Sequence, residues 1–214
     1  DVNTPDKDGA TPVFVAAQYD HVDAIKALCA LGADVNTPNK YGCTPMLTAA
    51  GQGHVDAIKT LCASGADVNT PDKDGATPVF VAAQCGHVDA IKTLCALGAD
   101  VNTPDNDGFT PVFVTAQNDH VGAIKTLCAL GADVNTPDKD GATPVFVAAQ
   151  YDHVDAIKAL CALGADVNTP NKYGCTPMLT AAGQGHVDAI KTLCASGADV
   201  NTPDKDGATP VFVA

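Results

Sequence analysis

The chain has 214 residues, of which 46% are apolar, and a formal net charge of −13. Because a strongly acidic surface repels phosphate groups, this charge excludes nucleic acid and anionic membrane surfaces as expected partners. No apolar run approaches the ~20 residues that a membrane-spanning helix needs, so no membrane insertion is expected. Every acidic residue is Asp, every basic residue is Lys and Trp is absent, which indicates one short unit copied many times.

The pentapeptide Asp-Val-Asn-Thr-Pro recurs every 33 residues, from Asp1 to Asp199. The period predicts six full units and a partial seventh: 1–33, 34–66, 67–99, 100–132, 133–165, 166–198 and 199–214. We expect them to form a single array over residues 1–214 without a domain boundary. A unit this short cannot bury its apolar face alone, so its stability must come from stacking on neighbouring units.

Each unit begins with a predicted turn and a short helix. The stretch from Asp1 to Gly9 is rich in Asn, Pro, Asp and Gly, which favour a projecting, hairpin-like turn. Thr11 then supplies an N-cap, and Pro12 suits the first helical position because its missing N–H would have no partner there. A helix is therefore predicted from about Pro12 to Tyr19.

The second helix of a unit is predicted from apolar residues three or four positions apart, which share one helix face. In the first unit these residues are Val22, Ile25, Leu28 and Cys29. Gly32 follows them and predicts a left-handed C-terminal cap, because glycine adopts a positive φ without strain.

These elements and several short motifs resemble the ankyrin repeat over the whole chain, as about 6.5 tandem copies. In the first unit the motifs are Gly-x-Thr-Pro at 9–12, Ala16-Ala17, His21-Val22 and Gly-Ala-Asp-Val-Asn at 32–36. The resemblance implies an all-α solenoid, an ankyrin-repeat stack of helix-turn-helix units joined by β-hairpin-like turns. One departure is that the family's Thr-Pro-Leu-His is Thr-Pro-Val-Phe at 11–14, so the usual His hydrogen bond is absent.

A longer period is superimposed on the short one. Residues 1–82 and 133–214 are identical, so a block of four units, 132 residues long, is itself repeated. Solenoids normally end in atypical units with polar outer faces, whereas this chain begins at a bare turn and stops inside a predicted first helix. We therefore expect a segment of a longer array, or a protomer whose ends are covered by other copies.

Six histidines stand at the start of the second helix, one in each unit: His21, His54, His87, His120, His153 and His186. Packed helices lie ~8–10 Å apart, which is too far for two imidazoles to share a zinc ion at ~2.1 Å. A structural role is therefore expected, with no metal and no cofactor.

Nine cysteines fall into two sets. Six occupy the second helices, where burial as small apolar residues is expected: Cys29, Cys62, Cys95, Cys128, Cys161 and Cys194. Their stacking distance exceeds the ~7 Å Cα limit for a disulfide, and the remaining Cys43, Cys85 and Cys175 have no equivalent partner. Free thiols favour a reducing, cytoplasmic location, although an extracellular filament stays open.

The turn sequence Asp6-Lys7-Asp8-Gly9 is similar to part of a calcium-binding loop. The EF-hand pattern requires a Glu at its twelfth position, and Val15 stands there, so these carboxylates are expected to stabilise the turn. Thr4-Pro5 is a possible modification site, but Pro at this place is explained by a rigid turn. The stretch ending at Asn36 also resembles the segment in which ankyrin-repeat asparagines are hydroxylated, and a turn position explains this residue as well.

No catalytic arrangement is expected. His21 and Cys29 are eight residues apart, so they lie at opposite ends of a helix about 12 Å long. Catalysis needs a nucleophile, a base and an orienting group in one pocket, and each unit offers only this separated pair. The chain is therefore predicted not to be an enzyme.

Variation among the units predicts the binding surface. Nineteen of the 33 positions are invariant in the six full units, and the other fourteen fall largely in the turn and in the first helix and its end. By resemblance, these positions match the concave target-binding surface of ankyrin repeats. The predicted binding residues are Lys7, Asp8, Gln18, Tyr19, Tyr41, Gln52, Asp74, Gln84, Asp107, Phe109, Asn118, Asp140, Tyr151 and Tyr173. Tyr41, Phe109 and Tyr173 are expected to be exposed anchors, with packing inside the turn as the alternative.

Two hypotheses about function follow. The first is a recognition scaffold that docks a protein partner on the concave face, as the family resemblance implies. The second is a structural subunit of a filament, in which near-identical units present a periodic surface that suits copies of the same chain. The expected partner is thus another protein or the chain itself.

Overall fold

The computed structural model describes residues 1–210. The predicted first helix of the partial seventh repeat continues into residues 211–214, which lie outside the described residues. The chain divides into two compact units, Asp1–Asn106 and a second that begins at Asp107.

The described residues form twelve helices, two in each full repeat, and contain no strand. The first compact unit contains α1 (Pro12–Gln18), α2 (Val22–Ala30), α3 (Pro45–Gly51), α4 (Val55–Ala63), α5 (Pro78–Gln84) and α6 (Val88–Ala96). The second contains α7 (Pro111–Gln117), α8 (Val121–Ala129), α9 (Pro144–Gln150), α10 (Val154–Ala162), α11 (Pro177–Gln184) and α12 (Val187–Ala195). The predicted all-α, helix-turn-helix architecture is confirmed.

The first helix of five of the six full repeats begins with the threonine cap that the Thr-Pro motif predicts, whereas Thr143 before α9 makes no side-chain cap bond. In α3 the Thr44 hydroxyl accepts a hydrogen bond from the backbone N–H of Leu47 at 3.2 Å, and Pro45 occupies the first turn. The threonine is buried, so this bond satisfies a donor that water cannot reach. The same side-chain cap is present in α1, α5, α7 and α11.

The second helix ends in the left-handed glycine that its sequence predicts. After α2, Gly32 has a φ of +88° and donates its N–H to the carbonyl of Cys29 at 3.0 Å. Ala33 donates to the carbonyl of Leu28, also at 3.0 Å. This pair of bonds is a Schellman cap, which closes the helix and turns the chain towards the next hairpin.

Stacking builds the core in both compact units. α1 packs on α3 and α3 on α5, while α2 packs on α4 and α4 on α6. The second compact unit repeats this arrangement with α7, α9 and α11 and with α8, α10 and α12. Ile58, Leu61, Ile91 and Leu94 are fully buried between these layers. Burial of each such side chain contributes about 1.5–3 kcal/mol, so each repeat stabilises its neighbours.

An asparagine side chain joins each hairpin to the next repeat. Asn36 Nδ2 donates to the carbonyl oxygen of Gly65 at 3.1 Å, and Asn36 Oδ1 accepts from the backbone N–H of Asp67 at 3.0 Å. Asn3 makes the same two bonds, to Gly32 and Asp34. Asn135 makes them to Gly164 and Asp166. The invariant Asn of the pentapeptide is therefore a structural link between repeats.

Replacing Asn36 with Ala is expected to lower the free energy of unfolding by about 1–3 kcal/mol, since two hydrogen bonds worth about 0.5–1.5 kcal/mol each are lost. Asn36→Asp keeps the oxygen that accepts from Asp67 but loses the donor to Gly65, so an intermediate loss is expected. Urea denaturation followed by circular dichroism measures both. A loss for Asn36→Asp that equals the loss for Asn36→Ala would show that the acceptor contributes nothing.

A second link between repeats comes from an aspartate in the left-handed conformation. Asp20 has a φ of +55°, and its Oδ1 accepts a hydrogen bond from the N–H of Ala57 at 3.2 Å, in the first turn of α4. His54, the N-cap residue of α4, makes no side-chain cap of its own. Asp119 and Asp152 cap α10 and α12 in the same way. One repeat therefore caps the second helix of the next.

We expect Asp20→Gly to destabilise the protein by about 1 kcal/mol, because it removes the cap but relieves the left-handed backbone. Asp20→Ala removes the cap and keeps the strain, so a loss of about 2–3 kcal/mol is expected. Hydrogen exchange of the Ala57 amide should be faster in both variants. Unchanged exchange at Ala57 would show that the Asp20 carboxylate does not protect it.

Candidate functional site

A groove of about 620 Å³ runs along the first three repeats, within the first compact unit. We call it groove A. It is lined by Asp6, Asp8, Ala10, Phe14, Val15, Gln18, Asn39, Tyr41, Cys43, Leu47, Thr48, Gly51, Gln52, Asp72, Val81, Gln84 and Cys85. The hairpins supply one wall of the groove, and α1, α3 and α5 supply the other. Five predicted binding residues lie together here: Asp8, Gln18, Tyr41, Gln52 and Gln84.

A second groove, of about 320 Å³, lies in the second compact unit. We call it groove B. It is lined by Asp138, Asp140, Ala142, Phe146, Gln150, Asn171, Tyr173, Cys175 and Thr180. Each of these residues is the copy, 132 positions later, of a residue that lines groove A. Of the predicted binding residues, Asp140 and Tyr173 lie in groove B.

The remaining predicted binding residues lie outside the linings of both grooves: Lys7, Tyr19, Asp74, Asp107, Phe109, Asn118 and Tyr151. Tyr19 lies beside His21, with ring centroids 6.1 Å apart, and Tyr151 lies beside His153 at 5.9 Å. Both tyrosine rings contact their own repeat while remaining exposed.

The expectation that Phe109 is an exposed anchor is wrong. Its side chain is half-buried and stacks on Phe113 of α7, with ring centroids 4.7 Å apart and an interplanar angle of 10°. Phe109 instead packs inside its repeat, which was the alternative expectation. A large apolar ring in the hairpin can cover the first helix. Tyr41 and Tyr173 are exposed as expected, at 60% and 56%.

A lysine and a tyrosine form a charged cluster at the hairpin tips of groove A. Lys40 Nζ lies 2.6 Å from Asp8 Oδ1 and 4.9 Å from the centroid of the Tyr41 ring. The hydrogen bond to the Asp8 carboxylate raises the pKa of Lys40. Groove B repeats the cluster, with Lys172 paired to Asp140 and 5.1 Å from the Tyr173 ring centroid. A cation held between a carboxylate and an aromatic face thus already lies beside each groove.

The acidic residues of the hairpins have the structural role expected of them. Asp6 Oδ1 accepts hydrogen bonds from the N–H groups of Asp8 at 2.8 Å and Ala10 at 2.9 Å. Asn39 Oδ1 makes the equivalent pair of bonds in the second repeat, to Tyr41 and Cys43. Because a single side-chain oxygen closes the turn, Asp and Asn are interchangeable at this position as far as the fold is concerned.

Cys43 lies in groove A as a half-buried thiol. Burial raises its pKa, and the charges of Asp72 and Asp74 raise it further, so the thiol is protonated at neutral pH. In groove B, burial raises the pKa of Cys175, and the charges of Asp204 and Asp206 raise it further. Thiols in this state are poor nucleophiles.

The expected burial of the second-helix cysteines is wrong in degree. Five of the six are half-buried and Cys194 is exposed, because the apolar face that stacks is centred on the Ile and Leu of each helix. All nine cysteines are free.

The histidines link neighbouring repeats. His54 Nε2 lies 3.1 Å from the carbonyl oxygen of Gln18 and His87 Nε2 lies 3.1 Å from that of Gly51, at hydrogen-bonding distance in each case. Each bond joins a second helix to the first helix of the preceding repeat. Within residues 1–210, no group of three or more His, Cys or Asp side chains is arranged to hold a metal ion. None of the described helices is both long and apolar enough to cross a membrane.

Sequence reasoning missed several residues of groove A, above all Asp6, Cys43 and Asp72. A signal was available for Cys43, because the equivalent position is Ala10 in the first repeat and Phe109 in the fourth. The same signal was available for Asp6 and Asp72, because the equivalent position is Asn39 in the second repeat.

The stacked helix pairs, projecting hairpins and lateral grooves define a repeat solenoid. The family model described as ankyrin repeats (3 copies) matches residues 1–72, 68–138 and 130–204, and the chain belongs to the ankyrin-repeat family. Ankyrin repeats are generally non-enzymatic scaffolds for protein interaction.

Two solved structures illustrate the similarity. The ankyrin repeat domain of Bcl-3, a member of the IkappaB protein family, is 25% identical with a TM-score of 0.87, over 97% of this chain and 95% of that one. The human ASB11 ankyrin repeat domain is 29% identical with a TM-score of 0.83, over 95% of this chain and 91% of that one. No curated protein sequence matches the chain.

Proposed function

We propose that this chain is a non-enzymatic scaffold, part of a longer repeat array, that binds a protein partner in grooves A and B. One observation carries the proposal. All seventeen residues that line groove A, and all nine that line groove B, fall at seven of the fourteen positions that vary among the repeats, and none falls at an invariant position. Variation is concentrated where a partner would be recognised.

Exposure alone does not account for this concentration. The Lys26 side chain is 61% exposed, yet this position is Lys in every full repeat. Ala30 is exposed and is equally invariant. Exposed positions outside the grooves are therefore mixed, since Lys26 and Ala30 are unchanged whereas Leu31 is Ser64 in the second repeat. Every position that lines a groove varies, which supports a recognition role for the grooves.

The proposal is tested by two triple variants with the same added charge. The groove variant replaces Gln18, Gln52 and Gln84 with Arg and so alters groove A. The helix-end variant replaces Ala30, Ala63 and Ala96 with Arg and so alters exposed ends of α2, α4 and α6. Affinity capture from a cell extract, with cross-links located by mass spectrometry, compares both with the unmodified chain. Proteins retained by the unmodified chain and the helix-end variant but lost by the groove variant support the proposal. Equal retention by all three contradicts it.

A second candidate function is a structural subunit of a filament. The observation that favours it is the sameness of the junctions, since the Asn bridge recurs from one repeat to the next with little change. A stack of copies would reuse these contacts. Light scattering and electron microscopy over a concentration series test the idea, with association strengthened by added salt because screening weakens the repulsion between Asp-rich chains. A concentration-independent monomer would exclude the filament.

A further inference from the structure

We propose that grooves A and B each accept a basic segment of a partner protein, so that one chain binds two copies of the same Lys- or Arg-bearing segment. The inference rests on the proposed function and specifies the chemistry of the partner.

The charges of the linings are of one sign. Among the residues that line groove A, Asp6, Asp8 and Asp72 are acidic and none is Lys. Groove B is lined by Asp138 and Asp140, again without Lys. An unbalanced acidic lining attracts a cationic ligand and disfavours an acidic one.

Two lysines beside groove A already have partners, whereas one carboxylate oxygen of its lining is available. Lys40 is committed to Asp8, whereas Lys73 Nζ donates to the backbone carbonyl of Lys40 at 2.6 Å. Asp72 Oδ1 accepts from the N–H groups of Asp74 and Ala76, each at 2.9 Å. Asp72 Oδ2 accepts no hydrogen bond from a described residue, so this oxygen can receive a Lys or Arg donor.

The order of side chains along groove A also suits a basic segment. At one hairpin position, three successive repeats supply Asp8 and Tyr41, which line groove A, and Asp74, which lies outside the lining. An aromatic residue is thus flanked by two carboxylates in the order of repeats. Tyr41 already has the Lys40 ammonium over its ring at 4.9 Å. Phe14 and Leu47 supply apolar surface for the aliphatic part of a Lys or Arg side chain, whose charged end then reaches the hairpin carboxylates.

The two grooves should accept the same kind of segment because groove B repeats part of groove A. Every residue that lines groove B is identical in type to its copy in groove A. Burial and the charge of Asp204 raise the pKa of Cys175, as burial and the charge of Asp72 raise that of Cys43. Groove A is larger, at about 620 Å³ against about 320 Å³, and Asp72 lines it whereas Asp204 does not line groove B. Two sites on one chain are the expected result, with groove A the tighter of the two.

The probe is a library of random dodecapeptides displayed on phage and selected on the full chain. Enriched peptides should carry more Lys and Arg than Asp. A peptide from this set should bind in calorimetry at two sites per chain. It should also slow iodoacetamide labelling of Cys43 and Cys175, while labelling of the exposed Cys194, which lies outside both grooves, stays unchanged.

The matched variant replaces Asp6, Asp72, Asp138 and Asp204 with Asn. It should fold normally, because Asn39 and Asn171 already close the same turn with the same bonds. Loss of the Asp6 and Asp72 carboxylates is expected to weaken binding of the basic peptide to groove A by about tenfold. A smaller loss is expected at groove B, where only Asp138 of the replaced residues belongs to the lining.

The outcomes separate the two proposals. Peptides that protect Cys43 without any preference for Lys or Arg, or that bind the Asn variant equally well, would overturn the basic-segment inference but leave groove binding intact. Basic peptides that bind without protecting Cys43 or Cys175 would overturn both. A single site per chain would overturn the two-copy inference, and failure to enrich any peptide would count against both proposals.

Discussion

Replacing Leu61 with Ala is expected to lower the free energy of unfolding by about 2–5 kcal/mol, since it removes a fully buried side chain and leaves a cavity. Leu61 lies on α4, which packs against α2 on one side and α6 on the other. A repeat is stable only through its neighbours, so the loss should spread to both. Urea denaturation measures its size, and hydrogen exchange should show faster opening in α2 and α6 as well as in α4.

Leu31→Ala is the matched control for the Leu61 variant. Leu31 is 69% exposed, so the same change of side chain should alter the free energy of unfolding by no more than about 0.5 kcal/mol. Similar losses at both positions would contradict the assignment of Leu61 to the stacked core. Faster exchange confined to α4 would contradict the coupling between neighbouring repeats.

Gly42→Ala is expected to destabilise the protein by about 2–5 kcal/mol, for two physical reasons. Gly42 has a φ of +87°, which an L-residue adopts only with strain. A Cβ at this position would also lie 2.9 Å from the backbone nitrogen of Lys73, in the next hairpin, so the two hairpins would have to move apart. Chemical denaturation gives the magnitude of the loss.

Gly65→Ala separates these two contributions. Gly65 has a similar φ of +93°, but a Cβ there would have no atom within 4 Å. Its replacement should therefore cost only the left-handed strain, about 1–2 kcal/mol. Equal losses for the two variants would mean that the hairpins are not in tight contact, and the larger loss for Gly42→Ala measures how closely they pack.

Much of the fold is predictable from local sequence because its determinants lie within a few residues of each other. Thr11 and Pro12 place the start of the first helix, and Gly32 places the end of the second. The 33-residue period then predicts that equivalent helices of successive repeats stack on each other. Each of these signals acts through backbone geometry, which a short stretch of sequence specifies.

Features that join different repeats were harder to predict. Asp20, for example, caps a helix that begins more than 30 residues later. Packing of a side chain within a repeat was also missed, since Phe109 stacks on Phe113 of its own repeat. Variation among repeats did locate part of the candidate site, including Gln18 and Tyr41. It could not show that the Asp72 carboxylate approaches Cys43, because this approach depends on how neighbouring hairpins are spaced.

Junctions between repeats differ in stability, because only some of them have the helix cap that Asp20 and its copies supply. Asp20, Asp119 and Asp152 cap α4, α10 and α12, whereas Gly53 occupies the equivalent place before α6 and has no carboxylate to offer. When such an array is stretched, a glycine junction should yield before an aspartate junction. Each repeat that opens would release 33 residues, about 110 Å of extended chain. The array would then lengthen in ordered steps as an elastic tether, with glycine positions setting which step comes first.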